Sequence, residues 1–257
     1  MKKVFFTCIF LSTILVLISC AKQPKEIIKK SIERCKSIDC GSYEMSKELI
    51  LFSDTTIMEQ KCIFKKVQDS STFPLLFNST SKIISGAGKL EGEIHFLGTT
   101  DKIIWYMTEN DSVAGFIPKH SIDVGRAKNL FQKNFVYGIY YPITYQDCYP
   151  LEELLNKSSD SIKFELKKEA IINGKQCYVV NSKSINSKGK EIECFLYINK
   201  EDYLILSLII TYKKFYDDTD ITEKYDLIKY DFNQSFDDSE FIVPQHTQLI
   251  DRSEEYQ

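Results

Sequence analysis

The chain has 257 residues, with 33 Lys and Arg against 36 Asp and Glu, and a formal net charge of −3. This balance, without any basic block, argues against a nucleic-acid partner, because such binding needs a concentrated positive surface. Aromatic residues make up 13% of the chain and there are only 10 glycines. Such a composition favours a β-rich core.

The first segment reads as an export signal that ends on a cysteine. Met1-Lys2-Lys3 gives a positive start, and Val4–Ile18 is almost entirely apolar. This stretch has about 15 residues, fewer than the about 20 that a membrane-spanning helix needs, and is typical of a signal peptide. Leu17-Ile18-Ser19-Cys20 resembles a bacterial lipobox, which implies cleavage before a lipidated Cys20. An ordinary signal peptide or a short membrane anchor is the alternative.

The lipobox resemblance sets the expected location. Residues 1–19 are then a lipoprotein signal peptide, and residues 20–257 form the mature protein. Two or three acyl chains, each contributing about 0.8 kcal/mol per buried CH₂, would hold that protein on a membrane permanently. Ala21, in place of aspartate, resembles outer-membrane routing in enteric-type sorting. We therefore expect a lipid-anchored protein of the bacterial cell envelope, on the outer membrane and facing the periplasm.

Six cysteines remain beyond Cys8 and Cys20, and an exported chain with an even number suggests disulfides. They have neither a C-x-x-C spacing nor that of a zinc site. If the hairpin turn after residue 183 centres near Ile185-Asn186, Cys177 and Cys194 lie opposite one another. We therefore predict a disulfide between them, although a slip of one residue would put the two sulfurs on opposite faces. Two buried free thiols are the alternative. The six residues are Cys35, Cys40, Cys62, Cys148, Cys177 and Cys194.

Residues 25–38, KEIIKKSIERCKSI, predict an amphipathic helix. Pro24 suits its start and Gly41 its end. Its apolar positions fall on one face, which must cover another part of the protein. Those positions are Ile27, Ile28, Ile32, Cys35 and Ile38.

Most of the remaining chain alternates with a period of two, which predicts about ten strands. Asn173-Gly174 is a strong signal for a two-residue hairpin turn. In the strand that precedes it, Ile162, Phe164 and Leu166 are expected to point inward. The predicted strands cover residues 42–51, 60–67, 92–98, 102–107, 112–117, 161–169, 175–183, 191–199, 202–215 and 222–232.

Two further stretches shape the expected fold. Residues 119–150 lack alternation, and PLEELLNKSS after them predicts a short helix from Pro150. In the strand at 202–215, Leu204, Leu206, Leu208 and Ile210 point one way, while Ile205 and Ile209 point the other. Both faces of this strand should therefore be covered, one of them by the helix at 25–38. No linker divides the chain, which indicates a single domain over residues 20–257.

The chain resembles the LolA/LolB-like lipoprotein-carrier superfamily, in particular the LolA-like domains of Bacteroidetes lipoproteins. The resemblance lies in the opening helix, in INGKQCYVV with FLYINKEDYLILSL, and in the ending YDFNQSFDDSEFIVP. It implies a mainly β, α+β fold, a strongly curved antiparallel sheet or open half-barrel, with an N-terminal helix and a helical lid. Carriers of this superfamily hold acyl chains in an apolar cavity. A lipid anchor at Cys20 departs from the soluble carriers and matches the receptor-type member.

The resemblance implies a membrane-anchored lipoprotein that binds a hydrophobic ligand, either a lipid or an acyl chain. The residues expected to line its cavity are Ile28, Ile32, Leu204, Leu206, Leu208 and Ile210. The alternative is a non-catalytic interaction module that binds a protein partner of the envelope, because a fold does not determine a function.

Nothing in the sequence predicts catalysis, a cofactor or a metal site. His95, His120 and His246 lie in unrelated segments, and no hydrolase or metalloprotease motif is present. Asp217 to Asp220 lacks the ligands of a calcium loop. We expect a protein that is not an enzyme, and we expect Trp105 to be a core residue.

Overall fold

A computed structural model describes residues 23–51, 54–66, 75–85, 93–107, 110–118, 162–185, 189–216 and 218–253. In these ranges the chain forms one α-helix, a short 3-10 helix at Asp238–Phe241, and twelve strands. The α-helix is α1 (Pro24–Lys36), and the strands are β1 (Cys40–Leu51), β2 (Asp54–Lys66), β3 (Leu75–Ser85), β4 (Ile94–Gly98), β5 (Lys102–Met107), β6 (Asn110–Pro118), β7 (Ile162–Ile172), β8 (Lys175–Ile185), β9 (Glu191–Asn199), β10 (Ile205–Tyr216), β11 (Thr219–Asp231) and β12 (Gln248–Asp251).

All twelve strands belong to one curved sheet with the order β12-β6-β5-β4-β3-β2-β1-β11-β10-β9-β8-β7. Neighbouring strands are antiparallel except β12, which runs parallel to β6. The sheet does not close, since β7 and β12 form its two ends. The predicted open, curved sheet is confirmed. The predicted lid, including the helix from Pro150, lies outside the described residues.

Helix α1 packs on the sheet with the face that the sequence predicts. Ile27, Ile28 and Cys35 are buried in the same core as β8 to β11. Pro24 lies at the start of the helix, where its missing N–H costs nothing. Two lysines on the helix margins cover aromatic rings of the sheet, with Lys25 Nζ 5.9 Å from the centroid of Phe164 and Lys30 Nζ 5.1 Å from that of Tyr203.

Strand β10 contains a β-bulge that the periodicity did not predict. Ile205 pairs with Ile198, and the next paired residue, Ser207, faces Tyr197, so Leu206 is the extra residue. The bulge turns Ile205 to the same face as Leu208, whereas strict alternation assigned these two residues to opposite faces. Our prediction for Ile205 is therefore wrong.

Strand β7 also buries fewer side chains than predicted. Ile162 is buried, but Leu166 is 39% exposed. This strand forms one end of the sheet, where fewer neighbours are available to cover a side chain. The Asn173-Gly174 turn after it is confirmed, because Ile172 pairs with Lys175 and both turn residues have positive φ.

A second, smaller core lies on the opposite face of β2 to β6, since its members alternate along these strands with those of the main core. Its buried residues are Leu76, Leu97, Ile104, Ala114 and Phe241. The C-terminal segment covers this outer face through the 3-10 helix and β12. Its polar contacts with the sheet include Lys65 Nζ, 2.9 Å from the Asp238 carboxylate, and Asn78 Nδ2, which donates to the Glu240 carbonyl at 3.1 Å.

The predicted disulfide between Cys177 and Cys194 is wrong. In the β8–β9 pair, Cys177 faces Asn199 and Cys194 faces Ser182. The turn therefore centres near residue 188, and the two thiols lie on opposite faces of the sheet. Neither forms a disulfide, and the same holds for Cys35, Cys40 and Cys62. Cys148 lies outside the described residues.

This register makes a direct prediction for peptide mapping. After non-reducing alkylation under denaturing conditions, Cys177 and Cys194 should be recovered as separate alkylated peptides. Two cysteines on neighbouring strands whose side chains point to opposite faces of the sheet cannot bring their Cβ atoms within the about 3.5–4.5 Å that a disulfide needs. Recovery of one disulfide-linked peptide containing both residues would show that the β8–β9 register is wrong.

Candidate functional site

The main-core face of the sheet divides into two regions, which the strand register defines. Directly paired residues share a face, so rows of facing side chains can be followed from strand to strand. Over β8 to β11, the region that shares a core with α1, the rows run through buried residues. Over β2 to β5 one row, Phe64, Phe77 and Ile103, belongs to the same buried core, whereas the adjoining rows end in side chains that are only half-buried.

The six residues predicted to line a cavity all lie in the α1-covered region. Ile28, Leu204, Leu206, Leu208 and Ile210 are each at most 3% exposed, and Ile32 packs against them. The free space beside Leu206 and Leu208 is about 10 Å³, which is the volume of roughly one water-sized probe. Among the described residues these side chains form a packed core, and a role in lining a ligand cavity stays a prediction.

The second region, which we call the half-buried face, is the candidate site. One of its rows runs Gln60, Ser81, Ile94, Met107, and the next runs Cys62, Ser79, Phe96, Trp105. Its apolar side chains are neither fully covered nor fully exposed, as expected for a surface that receives an apolar molecule. They are Met58, Ile83, Ile94, Phe96, Trp105 and Met107.

Trp105 differs from its predicted role. It is half-buried and belongs to neither hydrophobic core. Its indole lies over Gly115, where an added Cβ would come within 2.7 Å of the ring. Glycine at this position therefore allows the indole to lie flat along the half-buried face.

Three buried polar side chains lie at the centre of these rows. Gln60, Ser79 and Ser81 are 4%, 1% and 3% exposed. Gln60 Nε2 donates a hydrogen bond to Ser79 Oγ at 2.9 Å, whereas Ser81 Oγ has no hydrogen-bond partner within the described ranges. A buried hydroxyl without a partner costs about 1–3 kcal/mol, so Ser81 requires an explanation.

A charged pair adjoins the half-buried face across β11 and β1. Glu223 is 2% exposed and accepts a hydrogen bond from the hydroxyl of Tyr225. Lys47 Nζ lies 3.9 Å from the Glu223 carboxylate and 5.2 Å from the centroid of the Tyr225 ring. The two charges offset each other, so this part of the face attracts neither anions nor cations strongly.

Two titratable groups, Cys62 and His95, lie on the strands of this region. Burial raises the pKa of the Cys62 thiol to about 12, so the reactive thiolate is not available near neutral pH. His95 lies on the outer face, stacked on Tyr106 with centroids 4.9 Å apart and with Nδ1 3.2 Å from Thr80 Oγ1, and burial lowers its pKa. No cluster of His, Cys, Asp or Glu that could hold a metal ion occurs in the described ranges, and His120 lies outside them.

The outer face has an open groove of about 340 Å³ between the β4–β5 turn and the C-terminal segment. Leu76, Ile104 and Phe241 form its floor, and Asp101, Lys102 and Asp238 lie at its edge. The pKa of Asp101 is lowered: burial opposes ionisation, but hydrogen bonds from Thr99 and Lys102 more than offset it. The groove is therefore an apolar surface with a polar rim.

Sequence reasoning missed Gln60, Ser79, Ser81 and Glu223. A signal lay in LLFNSTSKIIS, whose polar centre interrupts an otherwise apolar strand, and no strand was predicted there. Serines at positions 79 and 81, two residues apart, point to the same face, so the interruption itself marked the site.

The search of solved structures finds LolA-superfamily folds, as the resemblance predicts. The chain is similar to the LolA superfamily protein NE2245 from Nitrosomonas europaea, at 11% identity and a TM-score of 0.34, covering 86% of this chain and 98% of that one. It is similar to LprF from Mycobacterium bovis at 9% identity and a TM-score of 0.47, covering 88% and 97%. For MucB in the Pseudomonas aeruginosa MucA/MucB complex the values are 10% and 0.45, covering 89% and 64%.

With identities near 10% and TM-scores below 0.5, no function is inferred from these likenesses. No family model and no curated protein matches the chain. Within the described ranges, no helix has the length and apolar character needed to cross a bilayer.

Proposed function

We propose that this protein is a membrane-anchored lipoprotein that binds a hydrophobic ligand, a lipid or acyl chain, on the half-buried face of its sheet. The observation that carries the proposal is the uneven cover of the main-core face. A helix of 13 residues is about 20 Å long, whereas a sheet of twelve strands is about 55 Å wide at 4.7–4.9 Å per strand. Helix α1 packs beside β7 and shares its core with β8 to β11, whereas Ile94, Phe96 and Trp105 are half-buried.

The location of this binding is part of the same proposal. Residues 1–19 would be removed, and acyl chains on Cys20 would attach a single domain, residues 20–257, to the outer membrane on its periplasmic side. Residues 21–23 leave little space between the anchor and α1, so the half-buried face would stay near the membrane. The proposal needs no cofactor and no catalytic residue.

Trp105 provides the test, because it is the only tryptophan in the chain and lies on the proposed face. We expect its emission to shift to shorter wavelength when 1-oleoyl-glycerol is titrated into the mature protein in maltoside micelles, since the ligand would displace water from the indole. Phe241→Leu, a change on the outer face, should bind like the wild type. An unchanged Trp105 spectrum, together with native extraction that yields no bound lipid by mass spectrometry, would contradict ligand binding.

An interaction module is the second candidate, and the packed α1-covered region favours it. With about 10 Å³ of space beside Leu206 and Leu208, this region of the sheet acts as a rigid scaffold. A protein partner of the envelope would then be the ligand, and the absence of bound lipid in the extraction experiment would support this reading.

A further inference from the structure

We propose that the Ser81 hydroxyl donates a hydrogen bond to an acyl carbonyl oxygen of the ligand, so that the ligand is an acyl ester or amide rather than a plain hydrocarbon. This inference rests on the proposed function and specifies where the polar part of the ligand binds. Ser81 occupies the centre of the half-buried face, between Gln60 on β2 and Ile94 on β4.

The Ser81 hydroxyl differs from most buried polar groups. It is 3% exposed and has no hydrogen-bond partner among the described residues, although buried polar groups in native proteins almost always have one. The nearest comparable hydroxyl on the same strand face, Ser79, accepts from Gln60 at 2.9 Å. Ser81 therefore keeps a free O–H donor, directed by its strand position toward the half-buried face.

The charge around this donor favours a neutral partner. The charged side chains Lys47 and Glu223 lie 3.9 Å apart and offset each other. A carboxylate or phosphate buried beside Ser81 would have no counter-ion of its own in the part of the chain that the structure describes, and an unpaired buried charge is costly. A carbonyl oxygen accepts the same hydrogen bond without a charge to bury.

The row of side chains continues beyond Ser81 with apolar residues. Ile94 and then Met107 follow it across β4 and β5, and Phe96 and Trp105 form the adjacent row. A carbonyl at Ser81 would thus have an apolar path for its acyl chain on one side. An acyl ester of a glycerolipid and the amide of an N-acylated compound share this chemistry.

The experiment compares ligands that differ at the carbonyl. We would titrate the full mature protein, anchor included, in maltoside micelles with 1-oleoyl-glycerol and with its ether analogue 1-O-oleyl-glycerol, following Trp105 emission. The wild type should bind the ester about 5-fold more tightly than the ether, the effect of one neutral hydrogen bond. In Ser81→Ala the ester and the ether should bind equally. Partition of each compound into micelles is the same for both variants, so it cancels when their ester-to-ether affinity ratios are compared.

Ser31→Ala is the matched control. Ser31 is also fully buried and has no hydrogen-bond partner among the residues that the structure describes, but it lies on α1. Both alanine variants should unfold at the wild-type temperature or above, since each loses an unpaired hydroxyl, while Ser31→Ala should keep the wild-type preference for the ester. N-oleoylethanolamine, an amide, tests the second source of the carbonyl. If it binds the wild type more tightly than the ether and loses this advantage in Ser81→Ala, amides are ligands as well as esters.

The outcomes distinguish the two proposals. If both glycerol compounds bind and the ester preference is absent, or is unchanged in Ser81→Ala, the role of Ser81 is overturned while ligand binding stands. If neither compound changes Trp105 emission in any variant, the proposed function itself fails.

Discussion

Replacing Cys20 by alanine should remove the protein from its lipid-anchored form completely. The sulfur of Cys20 is the proposed acylation site, and two or three acyl chains contribute far more membrane affinity than any surface contact of this acidic chain. We expect the wild-type mature N-terminus to carry acyl chains by mass spectrometry and to fractionate with membranes. The Cys20→Ala protein should carry none, and should appear either as the uncleaved precursor or in the soluble fraction.

Cys8→Ala is the control for this experiment. Cys8 lies inside the apolar stretch of the predicted signal peptide, so its loss should leave processing and acylation unchanged. An unmodified wild-type N-terminus at residue 20, or one at any other residue, would contradict the lipoprotein assignment.

Alkaline pH should destabilise the protein steeply because two buried thiols resist ionisation. Burial raises the pKa of Cys35 and of Cys62 from 9.0 to about 12. Between these values the unfolded chain loses both protons and the folded chain keeps them, so stability falls as pH rises. Each thiol contributes a slope of about 1.4 kcal/mol per pH unit, or about 5 kcal/mol for both between pH 9 and 11.

Urea unfolding in the presence of a reductant, at several pH values from 8 to 11, measures this slope. Cys35→Ala and Cys62→Ala should each reduce the slope by about half of the thiol contribution, whatever they do to stability at pH 8. Leu208→Ala, which removes another buried side chain of the same core, should lower stability equally at all pH values. Equal pH slopes in wild type and both cysteine variants would refute the buried-thiol explanation.

The sequence predicted the elements whose local signals act alone. Pro24 and the spacing of Ile27, Ile28 and Cys35 were sufficient for α1, because a helix is set by neighbours three and four residues apart. Asn173-Gly174 was sufficient for the β7–β8 hairpin, because a two-residue turn fixes its register. In both cases the tertiary structure adds burial to a pattern that is already complete.

Features that depend on distant contacts were not predictable in this way. The β8–β9 connection is longer than two residues, so its register depends on which side chains pack across the sheet, and the Cys177–Cys194 prediction failed there. The bulge at Leu206 and the parallel pairing of β12 with β6 likewise depend on the neighbouring strands. Strand β3 was missed because Ser79 and Ser81 face the interior, and an apolar pattern cannot include them.

The candidate site, too, was predictable only where local sequence signals were sufficient. The apolar residues of α1 and β10 were correctly placed together, but they form the packed core, because α1 covers them. The half-buried face depends on what the helix does not reach, and that is a property of the assembled sheet rather than of any segment.

The pairing of β1 with β11 also has a consequence for the order in which the protein folds. Strands β1 to β6 and β7 to β11 each pair with their neighbours in sequence, whereas Tyr43 meets Tyr230 from the far end of the chain. Contacts of such long sequence separation pay loop-closure entropy and form slowly. As the chain emerges N-terminus first, the first six strands can pair while β1 still has an unpaired edge. Until β11 arrives, that edge is the place where a chaperone would bind or where two nascent chains would join.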